Sequence, residues 1–450
     1  MCTALSTDDA IGSSLLDVLQ ERFTRNLIGG SWRFPAAPYD FEIRSPVDSE
    51  VIAVVPLSSR FDVAAAISAA RAASAGPWSA PAERADLLRA LLDHLDRLRT
   101  EIAGLQSAES GLSPADSRLV VDVTLREIRQ DLARGAAPAE RPGVVGHILS
   151  WGAPFAEALT SVWPALLRGH TVVVKPSLRA PLSAAFLGLL AEQAGLPAGV
   201  VNVVQGTGPD VGAELIRRRD LAGLGVRGNV RTTTAAARAR TGVPLQLVRA
   251  GGNVCLVGPE PTGVATLAGH VARLVGMNSA GGVFALPLVV VSADVAASVV
   301  RALVERLAGV RAAPLPSDAV RARCLARIEA LVGAGARVRL GGARVPDDVE
   351  HRMGWRVPPT VLDLGDPRSA AAVLHRDTEP IGPVLGVLTV TDAAEIAAAL
   401  PPSCADGVAW VHGFAGHRVP DLPHGRIVTG PAADLAGALT IPPSWLGRAR

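Results

Sequence analysis

Residues 143–177 read GVVGHILSWGAPFAEALTSVWPALLRGHTVVVKPS, and the alternation inside this stretch decides the architecture. GVVGHIL is a short apolar strand, PFAEALTSVWPALLRG has the spacing of a helix that stops at Gly169, and TVVVKP is a second strand. Downstream the rhythm repeats. LSAAFLGLLAEQAG is a helix ending at Gly195, and VVNVVQG is a third strand. Strands alternating with helices predict a doubly wound, mostly parallel sheet. A second alternating region runs from Cys255 to about Trp410, through ALPLVVVS, SVVRALVERLAG, ARVRLGG and GPVLGVLTVT. Two α/β lobes are therefore expected, meeting near Gly251 and Gly252.

Upstream, NLIGGSW and FEIRSPVDSEVIAVVPL alternate about Gly and Pro-Val-Asp turns, which predicts a small antiparallel sheet. Helical spacing follows over Asp62 to Ala73 and Glu83 to Leu105. Residues 1–25 read as a loosely attached helix or tail. Between Gly111 and Val144 lie only a short helix-like segment and the linker ARGAAPAERPG. The Pro-rich end from Pro420 reads as a trailing arm. This organisation assigns 1–113 and 138–250 to a first, nucleotide-binding lobe and 251–420 to a second. Residues 114–137 and 421–450 form a reduced bridging arm.

Composition excludes several classes. Among 450 residues 49% are hydrophobic, 19% are charged, and the net charge is +2, which describes a globular protein rather than a nucleic-acid binder. The Arg-rich stretches 217–219 and 321–327 are short or interrupted and read as solvated helix faces. No basic and apolar leader opens the chain and no segment has the apolar length of a membrane span. Four scattered cysteines, Cys2, Cys255, Cys324 and Cys404, show neither metal nor disulfide spacing, so the cytoplasm is the expected compartment. His170, His375, His412, His417 and His424 form no metal spacing and read as surface or loop residues. Of 44 basic residues 43 are Arg, as in a high-GC genome of the actinobacterial kind; the single lysine is Lys175.

The order of these pieces resembles the aldehyde dehydrogenase superfamily over roughly residues 26–425. The stretches that carry it are NLIGGSW, TVVVKPS, GLPAGVVNVVQGTGPDVG, and PPTVL followed by EPIGPVLGV. The resemblance implies that fold: a nucleotide-binding and a catalytic-type lobe with a reduced oligomerisation arm. It also implies a site for NAD or NADP. Lys175 and Ser177 fall in the ribose-binding KPS stretch, beside Trp151. Gly208 and Gly212 keep the small residues of the dinucleotide turn, Gly228 matches the glycine near the pyrophosphate, and Glu379 matches the carboxylate that holds the nicotinamide ribose. That pyrophosphate turn reads VRGN here, so Arg227 either reaches a phosphate or fills part of the site. Leu178 replaces a ribose-binding glutamate, which removes a reason to exclude NADP.

The same resemblance implies three reacting groups: a cysteine nucleophile, an activating glutamate and an oxyanion-binding asparagine. Val283 stands at the cysteine position, Arg249 at the glutamate and Gly152 at the asparagine, with Asn278 as a remnant. Valine has no nucleophilic atom, and arginine cannot act as a base. The expected protein is a pseudoenzyme that binds NAD(P) without oxidising aldehydes, either as a homodimer or as partner of an active paralogue. Two alternatives stand beside it. One is repurposed chemistry in which Arg249 holds a small anionic ligand in a pocket bounded by Trp151, Asn278 and Val283. The other is an active dehydrogenase whose motifs align elsewhere.

Overall fold

The computed structural model describes residues 22–36, 39–239, 242–249, 253–277, 285–342, 354–367, 382–392, 395–396, 400, 407–414, 422 and 426–429. Strands β1 (Asn26–Ile28) and β2 (Ser31–Arg33) form a hairpin, and β3 (Asp40–Arg44) and β4 (Val51–Pro56) a separate antiparallel ribbon. Then follow β5 (Val144–Ile148), β6 (Thr171–Lys175), β7 (Val201–Val203), β8 (Gly223–Gly228) and β9 (Leu245–Arg249). The hairpin was expected to share one small sheet with the ribbon. It joins the large sheet instead, in the order β2-β1-β7-β6-β5-β8-β9. Its anchor is Asn26, whose Oδ1 accepts the Gln205 amide at 2.9 Å, while Leu27 pairs with Val203.

Strands β5 to β9 are parallel, and β5 and β6 are buried at every residue. Parallel strands covered on both faces need side chains that suit apolar surroundings on either side, hence the continuous Val run. Val145, Val172 and Val174 pack with Phe155 and Leu159 of the helix Pro154–Leu167. Ile148, Val173 and Val226 pack on the opposite face with Val63 and Ile67 of the helix Arg60–Ser74. The segment read as a short helix is a 21-residue one, Pro114–Arg134, capped by Ser113 and anchored by buried Val121, Leu125 and Ile128. Its β-branched run Val120, Val121, Val123, Thr124 lowers helix propensity, and burial overrides it.

The second sheet holds β10 (Val254–Val257), β11 (Leu288–Ser292), β12 (Arg337–Leu340), β13 (Thr360–Gly365), β14 (Val384–Val390), β15 (Val408–His412) and β16 (Arg426–Thr429). Their order is β12-β13-β14-β11-β10-β15-β16, parallel except at the edge pair β12–β13. Cys255 in β10 and Cys324 in the helix Asp318–Gly333, which packs on this sheet, are both buried, with thiol pKa values pushed up to about 12 by burial. His170 and His412, read as surface or loop residues, are buried as well. The His170 ring meets the Gly143 backbone, and His412 Nε2 lies 2.7 Å from the Thr262 carbonyl. Cys2, Cys404, His375, His417 and His424 lie outside the described residues. Among the described residues, no helix is long and apolar enough to cross a membrane and no cluster has the make-up of a metal site.

Candidate functional site

The carboxyl ends of β5, β6 and β8 border a cavity of about 380 Å³, whose lining also includes Leu315, Val320, Arg323 and Gly382. It stands where strand order reverses, since β6 and β7 step away from β5 on one side and β8 and β9 on the other. Loops leaving β5 and β8 diverge to opposite faces there, and open α/β sheets take their ligands in that gap. Trp151, Lys175, Ser177, Gly208, Gly212 and Gly228 all line it.

Lys175 ends β6 and is only 5% exposed. Its Nζ donates one hydrogen bond, to the Pro176 carbonyl at 2.7 Å, and it forms no ion pair among the described residues. Two of its three donors are therefore unused. Burial pulls the ammonium pKa down to about 8. Beside it runs the turn 206–212. Gly206 is required by close approach, because a Cβ there would lie 2.4 Å from Val211 Cγ2. Thr207 Oγ1 accepts the Asp210 amide at 3.1 Å and starts the helical turn. A Cβ on Gly212 would meet the Lys175 stem at 3.6 Å, while one on Gly208 would meet nothing within 4 Å.

Across β5, the end of β8 carries Arg227. It is 5% exposed and lines the cavity, yet its guanidinium donates no hydrogen bond among the described residues, and Nη1 is enclosed without a partner. Burial holds its pKa below the usual range, opposed by the charge of Glu157. Glu157, in the first turn of Pro154–Leu167, accepts from the Ser150 amide at 3.2 Å and from its hydroxyl at 2.9 Å. His147 Nε2 also lacks a partner among the described residues. Burial first, then the charges of Arg227 and His170, push the His147 pKa down to about 3, so this ring is neutral. Sequence reasoning reached Arg227 through its turn but missed Glu157 and His147. An imidazole inside an apolar strand and a carboxylate just after it were the available signals.

Gly152 is buried between Trp151 and Ala153 and offers no side-chain donor. Trp151 packs against an apolar cluster that includes Val120, Ala153 and Met277. Arg249 ends β9 in register with Gly228. Asn278, Val283 and Glu379 lie outside the described residues, as does most of the pocket expected around Arg249.

The sequence profile described as "Aldehyde dehydrogenase family" matches residues 32–400. The chain belongs to the aldehyde dehydrogenase family. It is 30% identical over 417 residues to a 3,6-anhydro-alpha-L-galactose dehydrogenase of Streptomyces coelicolor, a match spanning 86% of this chain and 83% of that protein. Aldehyde dehydrogenase C of Pseudomonas syringae, solved with NAD+ and octanal, superposes with a TM-score of 0.78 at 26% identity, covering 91% of this chain and 89% of that one. The NAD+ complex of an aldehyde dehydrogenase from Bacillus cereus gives 0.81 at 25% identity, covering 93% and 90%. This family member therefore has the α/β aldehyde dehydrogenase fold.

A nicotinamide dinucleotide is the group these relatives imply, and the crevice fits it in part. The unused Lys175 donors suit ribose hydroxyls, and the open space over Gly208 admits a nucleoside. The charge of the lining suits the pyrophosphate. Lys175, Arg179, Arg227 and Arg323 line the cavity, and no carboxylate among the described residues does.

Proposed function

We propose that this chain is a nucleotide-binding member of the aldehyde dehydrogenase family that does not oxidise aldehydes. The observation that carries the reading is the buried glycine at position 152, directly after Trp151, where the family pattern supplies the oxyanion-binding asparagine. With Arg249 and Val283 at the glutamate and cysteine positions, base, nucleophile and oxyanion donor are lost together. These groups act as a unit, so loss of all three leaves negligible chemistry. Retention of the chain's single lysine at the end of β6, buried in the crevice with one of its three donors used among the described residues, supports a nucleotide role.

In this reading Lys175 and Ser177 hold the ribose hydroxyls, and Gly208 and Gly212 keep the approach open. Trp151 closes the crevice on the side of the second sheet. A bound nicotinamide would supply hydride-transfer chemistry, but this chain places no group to form or release the acyl intermediate. The test is an assay of the purified chain with NAD and NADP against a panel of aldehydes, alongside calorimetric nucleotide titration. The expected result is nucleotide binding without reduced nicotinamide. Production of NADH or NADPH that persists after contaminating enzymes are removed refutes the reading.

A further inference from the structure

A second cavity, of about 660 Å³, lies away from the crevice, and the two share no described lining residue. It forms where the start of the helix Pro114–Arg134 meets the last turns of the helices Val264–Met277 and Ala296–Leu307 and the segment after the latter. Its charged lining residues among those described are Arg273, Arg306, Arg311 and Arg356 against the single carboxylate of Asp116. That carboxylate is already committed. Its Oδ1 accepts from Arg273 Nε at 2.8 Å and its Oδ2 from the Ser113 hydroxyl at 2.7 Å. Arg306, Arg311 and Arg356 are left without a counter-ion among the described residues. Elsewhere on the described surface arginines meet acids, as Arg71 meets Asp220 and Arg129 meets Asp96.

Backbone bonds, rather than acids, hold this cluster in place. Arg356 is half-buried, its Nη1 donates to the Ala312 carbonyl at 2.5 Å, and its Nε is enclosed without an acceptor among the described residues. Burial first, and the charge of Arg311 second, hold its pKa below the usual range. The Leu315 amide donates to the Trp355 carbonyl at 2.8 Å and the Ala313 amide to the Gly276 carbonyl at 3.0 Å. The segments bearing Arg311 and Arg356 are thereby fixed against each other and against the helix that bears Arg273. Like charges so gathered repel, and an anion between them removes that cost. Gly269 keeps the space open inside the helix Val264–Met277. A Cβ there would meet nothing within 4 Å, although almost any other residue would favour the helix more.

We infer that this cavity is a second ligand site, separate from the nucleotide crevice, for a small polyanion bearing two or more phosphate or carboxylate groups held by Arg306, Arg311 and Arg356. Guanidinium groups pair with both kinds of oxyanion through two parallel hydrogen bonds. Arg306 and Arg311 are exposed, so each single contact is weakened by solvent. A ligand that engages several of them at once gains the later contacts at high effective concentration, which favours a polyanion over a single oxyanion.

The full chain is titrated calorimetrically with fructose bisphosphate, citrate and inorganic phosphate, at low and at high salt. One of the two polyanions is expected to bind roughly tenfold more tightly than inorganic phosphate, and to weaken as salt rises. The bisphosphate binding better than citrate identifies a phosphorylated sugar as the source, and the reverse a polycarboxylic acid. The double variant Arg311→Gln with Arg356→Gln should lower that affinity by roughly tenfold or more. Gly269→Leu fills the cavity without altering an arginine and should block binding. Inorganic phosphate bound as tightly as both polyanions overturns the inference, as does binding of none of the probes. Wild-type affinity in Gly269→Leu reduces the effect to diffuse surface charge and also overturns it. Affinity lost in Lys175→Met places the polyanion in the crevice, with the same result. If the double arginine variant does not fold, Gly269→Leu and the wild-type order of affinities decide the matter.

Discussion

The two seven-stranded sheets share one topological plan, yet their described strand ends meet differently at the switch point. In each, the first parallel strand of the unit, β5 or β10, lies inside the sheet. Its successors flank it on one side, and the later strands, β8 or β15, on the other. At the first switch point the strand ends part around a cavity of about 380 Å³. At the second the described backbone draws together after the strands. The Gly258 amide donates to the His412 carbonyl at 2.7 Å, and the Glu260 amide to the Gly413 carbonyl at 3.1 Å. A Cβ on Gly258 would fall 2.3 Å from the Gly413 oxygen. Topology provides a place for a crevice at both sites, and the residues after the strands decide whether it opens.

Paired glycine substitutions give the sharpest way to break this contrast. Gly258→Ala forces this backbone apart and is expected to cost roughly 3 kcal/mol or more, or to abolish soluble protein. Gly208→Ala meets open space and should change stability by about 0.5 kcal/mol or less. Thermal or urea unfolding measures both. Equal effects would mean that the two strand ends are packed alike.

A smaller effect separates the floors of the two sites. His147 beneath the first crevice has a pKa near 3 in the folded chain, against an ordinary value of about 6.5. Between those values the unfolded state binds the extra proton, so stability falls as pH drops from about 6.5 toward 3. The loss approaches ~1.4 kcal/mol per pH unit within that window. His147→Leu should flatten the slope over pH 6.5 to 4 in urea unfolding. A variant with the wild-type slope would show that the ring is not the buried neutral base. His412, which ends β15 across the second switch point, already meets the Thr262 carbonyl.

The smallest effect concerns Lys175. Its pKa of about 8 implies that the ammonium is half neutral at that pH, so nucleotide affinity should fall several-fold between pH 7 and pH 9. The folded value is depressed below the usual Lys range, so the same group makes the chain more stable as pH rises through about 8 to 10. Lys175→Met should remove the pH dependence of binding and raise the melting temperature slightly. Unchanged binding by Lys175→Met would make the lysine incidental to the crevice.

Much of this site was legible before folding because it is written in local chemistry. GVVGHIL, TVVVKPS and the GTGPDVG turn each state a strand end or a tight turn, and the glycines and the lone lysine fall where those turns need them. The helix Pro114–Arg134 was legible only in outline, because its β-branched centre masks a helix that burial enforces. The hairpin of β1 and β2 gave no sign of its partner. Its pairing with β7 joins residues more than 170 positions apart through the Asn26 side chain.

By itself the sequence determined the α/β alternation and the family pattern, since residue types and their order carry these directly. Only the tertiary structure decided that Arg227 is buried without a hydrogen-bond acceptor among the described residues, that His147 is held neutral, and that the backbone after β10 and β15 draws together while the ends of β5 and β8 part. The physical reason is that burial and hydrogen-bond satisfaction depend on which distant segments meet. A guanidinium read in a turn has no energetic meaning until the surrounding sheet and helices have taken its water away.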